Sequence, residues 1–311
     1  MTVCGLDVSK ESLEYAVSAG GRGSVRNSKR GVAKLHAVLL EQGVELVVME
    51  ATGGCERLVR DELHARGLAV SVLNPRRVRS FADALGELAK TDGIDAQILV
   101  RYGELMECPV WQPQSVAHQH LHELVRRRDQ LVADKTREQN RKKRAPELAR
   151  ASIQTMLDAI KRELQRLEDL IKQAIGAPEL APQAQRLTSV PGIGVVLAAT
   201  ILAECPELGR LSSRQAGALA GVVPYANESG QFYGKRKPRG GRPRLRRALY
   251  MAVLVGMRFN EPMKACYTRH VGRGKPKKLA MVACMNKLVG WLNAMQRDGL
   301  EWSQMATAKS I

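Results

Sequence analysis

Residues 44–50 read VELVVME and residues 3–10 read VCGLDVSK. Both are short apolar runs rich in β-branched residues, and each carries one acidic residue at or near its end. Val3–Val8 predicts a strand, Glu14–Ser18 its hairpin neighbour, Val44–Met49 a buried strand, and Leu68–Leu73 a fourth apolar run. Between them, Val32–Leu40 and Arg57–Ala65 carry helical spacing. Strands alternating with helices predict an α/β layer fold with a partly parallel sheet over residues 1–110.

The acidic residues at these strand ends are the first candidates for chemistry. Asp7 sits inside GLDVSK between Leu6 and Val8, and Glu50 directly follows the run LVVM. Asp92 and Asp95 lie three apart in KTDGIDAQIL, so on a helix both project from one face. Adjacent strands of one sheet would bring Asp7 and Glu50 together, with the Asp pair packed across their ends. Taken singly, an Asp or Glu is most often a solvated surface group. Four convergent carboxylates would instead repel unless divalent cations neutralised them, and oxygen-only clusters select Mg²⁺ or Mn²⁺. Two such ions can polarise a scissile phosphate and stabilise the entering and leaving oxygens.

Residues 116–176 read as helical throughout. Ile153, Leu157, Ile160, Leu164, Leu167, Ile171 and Ala174 recur at steps of four and three, a stripe of about three heptads. Pro146 separates this helix from an earlier one rich in Arg and Lys. Such a stripe packs within its own chain or against a second copy, and the charged adjoining face favours a homo-oligomeric coiled coil. His118, His120 and His122 share this region, but no Cys or third ligand follows at metal spacing, so a solvated helix face is expected.

The third region is mostly helical. Residues 189–194, SVPGIG, precede an apolar helix in the manner of a helix-hairpin-helix turn. Gly192 and Gly194 allow the turn, and the next helix offers its first amides to a phosphate. An ordinary buried hairpin is the alternative. Of the thirteen residues 235–247, eight are Lys or Arg (Lys235, Arg236, Lys237, Arg239, Arg242, Arg244, Arg246 and Arg247), interleaved with Gly and Pro. This predicts a phosphate-seeking loop running into a helix. Ser229, before Gly230, opens it; cations or a metal nearby would favour its alkoxide as a nucleophile, although a turn-forming serine is the commoner role, and the residues alone do not prefer Ser229 to Ser189, Ser212 or Ser213.

Charge follows the same division. Residues 1–110 hold 14 Lys/Arg against 15 Asp/Glu, residues 111–180 hold 14 against 10, and residues 181–311 hold 21 against 6, so the formal +18 concentrates at the C-terminal end. A basic end on a neutral head points to a polyanionic partner gripped by the tail. Aromatic residues make up only 4% of the chain, which argues against a base-stacking single-strand binder. The six cysteines form no CxxC pair and read as reduced thiols of a cytosolic protein. Asp7 and Lys10 interrupt any export signal, and the longest uncharged run, Leu187–Ala203, is broken by Pro191, Gly192 and Gly194. A cytoplasmic protein with no membrane partner is expected.

Seven segments in order carry a family resemblance: GLDVSK, VVMEATGG, NPRRVRSFADALGELAKTDGIDAQIL, the helical middle, SVPGIG, LAGVVPYANESG and GRPRLRRALY. The chain resembles the DEDD-type transposases of insertion-sequence family one hundred and ten, the bridge-RNA-guided recombinases. That resemblance implies an RNase H-like, RuvC-like domain over 1–110, a coiled-coil region over 111–180 and a C-terminal transposase domain over 181–311. It implies metal binding by Asp7, Glu50, Asp92 and Asp95 and a nucleophilic Ser229. It further implies a noncoding bridge RNA pairing with double-stranded donor and target DNA, and a dimer or tetramer whose subunits complete one another's sites. Gly93 stands where the family usually has a basic residue, which removes one phosphate contact. Two other readings of the same residues stay open: a metal-only nuclease or Holliday junction resolvase in which Ser229 is structural, and a catalytically silent nucleic-acid-binding protein.

Overall fold

The computed structural model describes residues 1–87, 92–226, 228–229, 232–234 and 236–308, with the side chains of 92–94, 228–229, 232–233 and 306–308 outside that description. The chain divides into two units, Met1–Pro113 and Gln114–Ile311.

The first unit is built on β1 (Val3–Val8), β2 (Ser12–Val17), β3 (Arg22–Arg26), α1 (Lys29–Glu41), β4 (Leu46–Glu50), α2 (Arg57–Ala65), β5 (Ala69–Leu73), α3 (Pro75–Ala84) and α4 (Asp92–Leu105). The sheet order is β3-β2-β1-β4-β5. The first three strands form an antiparallel meander, and β4 and β5 run parallel to β1. This is the RNase H-like arrangement of an α/β domain. Strand alternation separates two cores. Cys4, Leu6 and Val8 with Val47 and Met49 face α1 and α2, while Val3, Leu46 and Val48 face α3 and α4. Covering both faces explains why β4 is apolar at nearly every position. The helices start where local chemistry dictates: the Ser28 side chain accepts from the Gly31 amide, and Asn74 accepts from Arg76 ahead of Pro75. The far edge of the sheet is closed by the unit's own tail, whose Trp111 amide donates to the Val70 carbonyl at 2.7 Å. β3 carries no apolar alternation and is exposed along its length except for Val25, so only pairing with β2 marks it as a strand.

The second unit contains α5 (Val116–Arg144), α6 (Glu147–Ile175), α7 (Ala181–Thr188), α8 (Val195–Glu204), α9 (Ser213–Ala220), the two-residue strands β6 (Pro224–Tyr225), β7 (Glu228–Ser229), β8 (Phe232–Tyr233) and β9 (Lys237–Pro238), then α10 (Pro243–Phe259), α11 (Glu261–Gly272), α12 (Lys277–Asp298) and α13 (Trp302–Ala308). α5 and α6 form an antiparallel pair. The heptad stripe of α6 is buried within this chain: Ile160, Leu164 and Leu167 pack with Leu131 of α5, and Arg128 of α5 donates twice to one Glu168 oxygen at 2.9 and 2.7 Å. The apolar seam expected to favour a second copy is therefore occupied by α5. The physical reason is the short link at Pro146, which returns the chain directly onto its own stripe. Farther along, Ile171 and Ile175 join a large core shared by α7, α8, α10 and α12. All six cysteines are free thiols. No described helix is long and apolar enough to cross a membrane.

Candidate active site and nucleic-acid interface

Register places the first two carboxylates. β1 and β4 pair in parallel through Leu6↔Met49, and Asp7 and Glu50 are the next residues on each strand. By alternation they share the face that carries Val3, Leu46 and Val48, the face covered by α4. Close packing then positions the helix. A Cβ on Gly5 would stand 2.0 Å from the Ala96 carbonyl oxygen and 2.7 Å from the Val100 amide nitrogen. At the other end of the contact, a Cβ on Gly103 would meet Val3 and Val48. α4 thus runs antiparallel to β1. Moving from Gly5 to Asp7 along the strand covers about 7 Å, which at roughly 1.5 Å per residue is four to five helical residues. Counting back from Ala96 and Leu99 reaches Asp92 and Asp95. The backbone therefore brings all four acidic positions to one end of one face, with Asp7, Glu50 and Asp95 half-buried and the Asp92 side chain outside the described residues.

A fifth carboxylate belongs to this neighbourhood. Glu14 of β2 lies directly opposite Asp7 in the antiparallel register and is half-buried. Like charges directly opposite are unfavourable in a sheet, and Asp7 has Glu14 on one side and Glu50 on the other. Without that register it is one more Glu in an expected strand. Among the described residues no three His, Cys, Asp or Glu converge as a ready metal site. The donor set is nonetheless carboxylate oxygen alone, which fits a hard divalent cation.

The loop after Glu50 is pinned by a residue that motif reading passed over. Glu56 is buried, and its Oε2 accepts from the Thr52 amide at 3.0 Å, the Thr52 hydroxyl at 3.1 Å and the Gly54 amide at 2.8 Å. Gly53 and Gly54 adopt φ of +73° and +121°, which the tight turn requires. Burial pushes the Glu56 carboxyl upward, but the hydrogen bonds from its own backbone, Gly54 and Thr52 outweigh it and hold the group below its ordinary range. A depressed carboxyl pKa contributes stability above the unfolded-state value and loses it as pH falls through the folded-state value. Glu56→Ala is expected to cost about 2–3 kcal/mol by urea unfolding, the scale of hydrogen bonds to a charged acceptor. The difference between mutant and wild type should shrink in acid.

In the second unit, Gly192 in the 189–194 turn has φ +104°, and a Cβ there would stand 2.8 Å from the Gly256 amide nitrogen of α10. The turn needs glycine because α10 passes against it. Gly194 caps α8 in extended conformation with open space around it, leaving the first turn of α8 half-exposed. His118 of α5 contacts Ser115 through Nδ1 at 3.1 Å, and His122 stands 4.0 Å from Glu204.

The basic run 235–247 divides into two groups. Arg242 makes a two-pronged pair with Glu207 at 2.8 and 2.7 Å and donates to the Glu204 carbonyl at 2.7 Å. Arg244 reaches Asp129 at 3.3 Å and Glu204 at 3.5 Å, and Arg246 donates to the Ala220 and Gly240 carbonyls. These three hold the ribbon and α10 to the helical core. Arg236, Lys237 and Arg239 are exposed, Arg247 is largely so, and Lys235 lies outside the described residues. Ser229 lies on β7, which pairs with β8 at the end of the ribbon whose base is the β6–β9 pair; its side chain lies outside the described residues.

Comparison with known proteins bears on both units. A family model described as "Transposase" of the DEDD IS110 type matches residues 4–145, and a "Transposase IS116/IS110/IS902 family" model matches residues 184–268. The "Pilin gene-inverting protein" of Moraxella lacunata is 30% identical over 252 residues, covering 78% of this chain and 77% of that protein. The chain belongs to the IS110 family of DEDD transposases. The "Insertion element IS110 uncharacterized 43.6 kDa protein" of Streptomyces coelicolor is 31% identical over 155 residues, covering 48% of this chain and 36% of that protein. The solved structure "Thermus thermophilus RuvC structure" aligns to 36% of the transposase and to all of that chain, at 16% identity and a TM-score of 0.26. As a transposase, this protein is an enzyme that cuts and rejoins DNA.

The division of the basic run gives a paired expectation for this transposase. Arg242→Ala should lower stability by about 1–3 kcal/mol and leave the salt dependence of DNA binding nearly unchanged. Arg239→Ala should leave thermal melting unchanged and reduce the slope of log K against log salt by about 1. Melting curves and binding titrations across salt concentrations check both.

Proposed function

We propose that this transposase cuts and rejoins DNA by attack of Ser229 on a scissile phosphate held at Asp7, Glu50, Asp92 and Asp95. A noncoding bridge RNA selects donor and target by base pairing. The observation that carries the reading is the shared sheet face: Asp7 and Glu50 end adjacent strands under α4, and α4 returns Asp92 and Asp95 to the same end. These four residues would hold Mg²⁺ or Mn²⁺, which when bound polarises the phosphate and stabilises charge on its oxygens. The Ser229 oxygen bonds to phosphorus as the bond to the leaving strand's oxygen breaks, and the hydroxyl proton ends on that oxygen. Bond energy is conserved in the phosphoserine, so a strand hydroxyl can reverse the step and rejoin. The first turn of α8 after Gly194 and the exposed cations Lys237, Arg239 and Arg247 grip double-stranded donor and target DNA through phosphates. The carboxylates belong to one unit and Ser229 to the other, and in a homodimer or tetramer these are supplied by different subunits. The protein works in the cytoplasm, on the bacterial nucleoid.

The test is a denaturing gel of labelled branched DNA incubated with protein and Mg²⁺. A DNA adduct that survives denaturation and maps to Ser229 supports the reading. Cleavage without adduct would point to a metal-only nuclease, and tight binding without cleavage under any divalent metal to a silent binder. Sequencing the RNA that copurifies should yield one structured species.

A further inference from the structure

A cleft of about 900 Å³ lies between α9, α11, α12 and the base of the ribbon. Arg236, Arg269, His270, Lys275, Lys287 and Arg297 line it, and no Asp or Glu does so among the described residues. Arg297 is partly neutralised by Asp298 at 2.7 Å, and Lys287 rests over the Trp291 ring at 5.5 Å. Arg269, Lys275 and Lys287 pair with no acidic side chain among the described ion pairs. The two titratable groups in the cleft register this field. Burial, and then the cations of Lys275, Arg273 and Arg269, hold the His270 imidazole below its ordinary value. A hydrogen bond with Cys284, and then the cations of Arg269, Lys287 and Lys275, hold the Cys266 thiol below its ordinary value despite its burial. Arg269, Lys275 and Lys287, concentrated in a concave site, focus potential onto an anionic ligand.

The position of the cleft says which anion. Pro224 of β6 and Pro238 of β9 form part of its wall, so it sits at the base of the ribbon that carries Ser229. From Tyr225 to Ser229 the chain advances four residues, at most about 14 Å when extended. At about 3.4 Å of rise per base pair, that is roughly four base pairs of duplex. We infer that this cleft binds backbone phosphates of the nucleic-acid strand flanking the bond at which Ser229 acts. It is a second phosphate grip, separate from the exposed arginines of the ribbon. The inference rests on the serine reading for the identity of the bond, though not for the binding itself. That strand is DNA; a guide RNA offers the same phosphate chemistry, and the probes below separate the two.

The experiment uses full-length protein carrying Ser229→Ala, so that binding is measured without chemistry. Three probes are compared: a labelled DNA duplex, one of its strands alone, and an RNA hairpin. Arg269→Gln, Lys275→Gln and Lys287→Gln together should lower the salt slope by about 2–3 for the duplex or about 2 for a single strand. The probe that shows the drop names the source. A control with Lys29→Gln, Arg30→Gln and Lys34→Gln, three exposed positions of α1, should show a smaller change. Ala283→Phe fills the cleft without altering charge and should weaken binding of the same probe at least tenfold. Bound probe should also slow iodoacetamide alkylation of Cys266 several-fold while leaving Cys55 unaffected. Salt slopes no different from the α1 control for all three probes, or undiminished Cys266 labelling at saturation, would overturn the inference. Either result leaves a wild-type covalent adduct standing; conversely, a slope drop with no adduct in the wild type would sink the serine reading alone.

Discussion

Gly5→Ala is expected to abolish DNA cleavage and to destabilise the first unit by roughly 3 kcal/mol or more, at or above the upper end of ordinary overpacking costs. The added methyl would stand 2.0 Å from a carbonyl oxygen and 2.7 Å from an amide nitrogen, both main-chain atoms of α4. A side chain in that position could swing aside; a helix backbone can retreat only as a body. Retreat would strip contacts from Leu99 and Tyr102, each about 1% exposed, and would lift Asp92 and Asp95 away from Asp7 and Glu50. Gly103→Ala provides the comparison. Its Cβ would meet only methyl groups of Val3 and Val48, at 2.6 and 2.9 Å. Those side chains can adjust, so its cost should stay near 1–2 kcal/mol with cleavage retained. Urea denaturation measures stability, and cleavage of a branched duplex measures activity. If Gly5→Ala kept wild-type cleavage, the close seating of α4 would not be what sets the carboxylate geometry.

How much of this was legible in the sequence differs between the two units. β1, β4 and β5 announce themselves because each is buried on both faces, and α2 falls at Arg57–Ala65 as its periodicity predicts. Asp7 and Glu50 could be singled out because a charge at the end of a buried run is costly without a purpose. Glu14 and Glu56 could not. The significance of Glu14 comes from register with Asp7, and that of Glu56 from a turn closing on its side chain, both properties of the folded backbone. β3 has no apolar signal at all. In the basic run, composition cannot distinguish an arginine that meets a phosphate from one that meets Glu207. Eight cations within thirteen residues look equivalent until the acids of α5 and the α8–α9 connection are in place beside them. The α6 stripe shows a similar limit: periodicity specifies an apolar seam but not the owner of the opposing helix, which the turn at Pro146 decides.

Ser229→Ala should eliminate the covalent protein–DNA adduct and reduce recombination by at least about 10³-fold, the scale on which removing a nucleophile acts, while melting and DNA affinity remain at wild-type levels. Stability should not change, because β7 and β8 contribute only a two-residue pairing. Asp7→Asn should cause a comparable loss by a different route. It keeps the shape of the side chain but removes one negative charge from a position flanked by Glu14 and Glu50, and so should weaken divalent-cation binding. The two variants therefore separate under titration with Mn²⁺. Extra metal should partly restore cleavage to Asp7→Asn and do nothing for Ser229→Ala. Chelation with EDTA should silence the wild type, and restoring Mg²⁺ should recover it. If Ser229→Ala still recombined, the serine would be structural and the carboxylate face alone would carry the chemistry. If wild type kept full activity in EDTA, the carboxylates would need a role other than holding a cation.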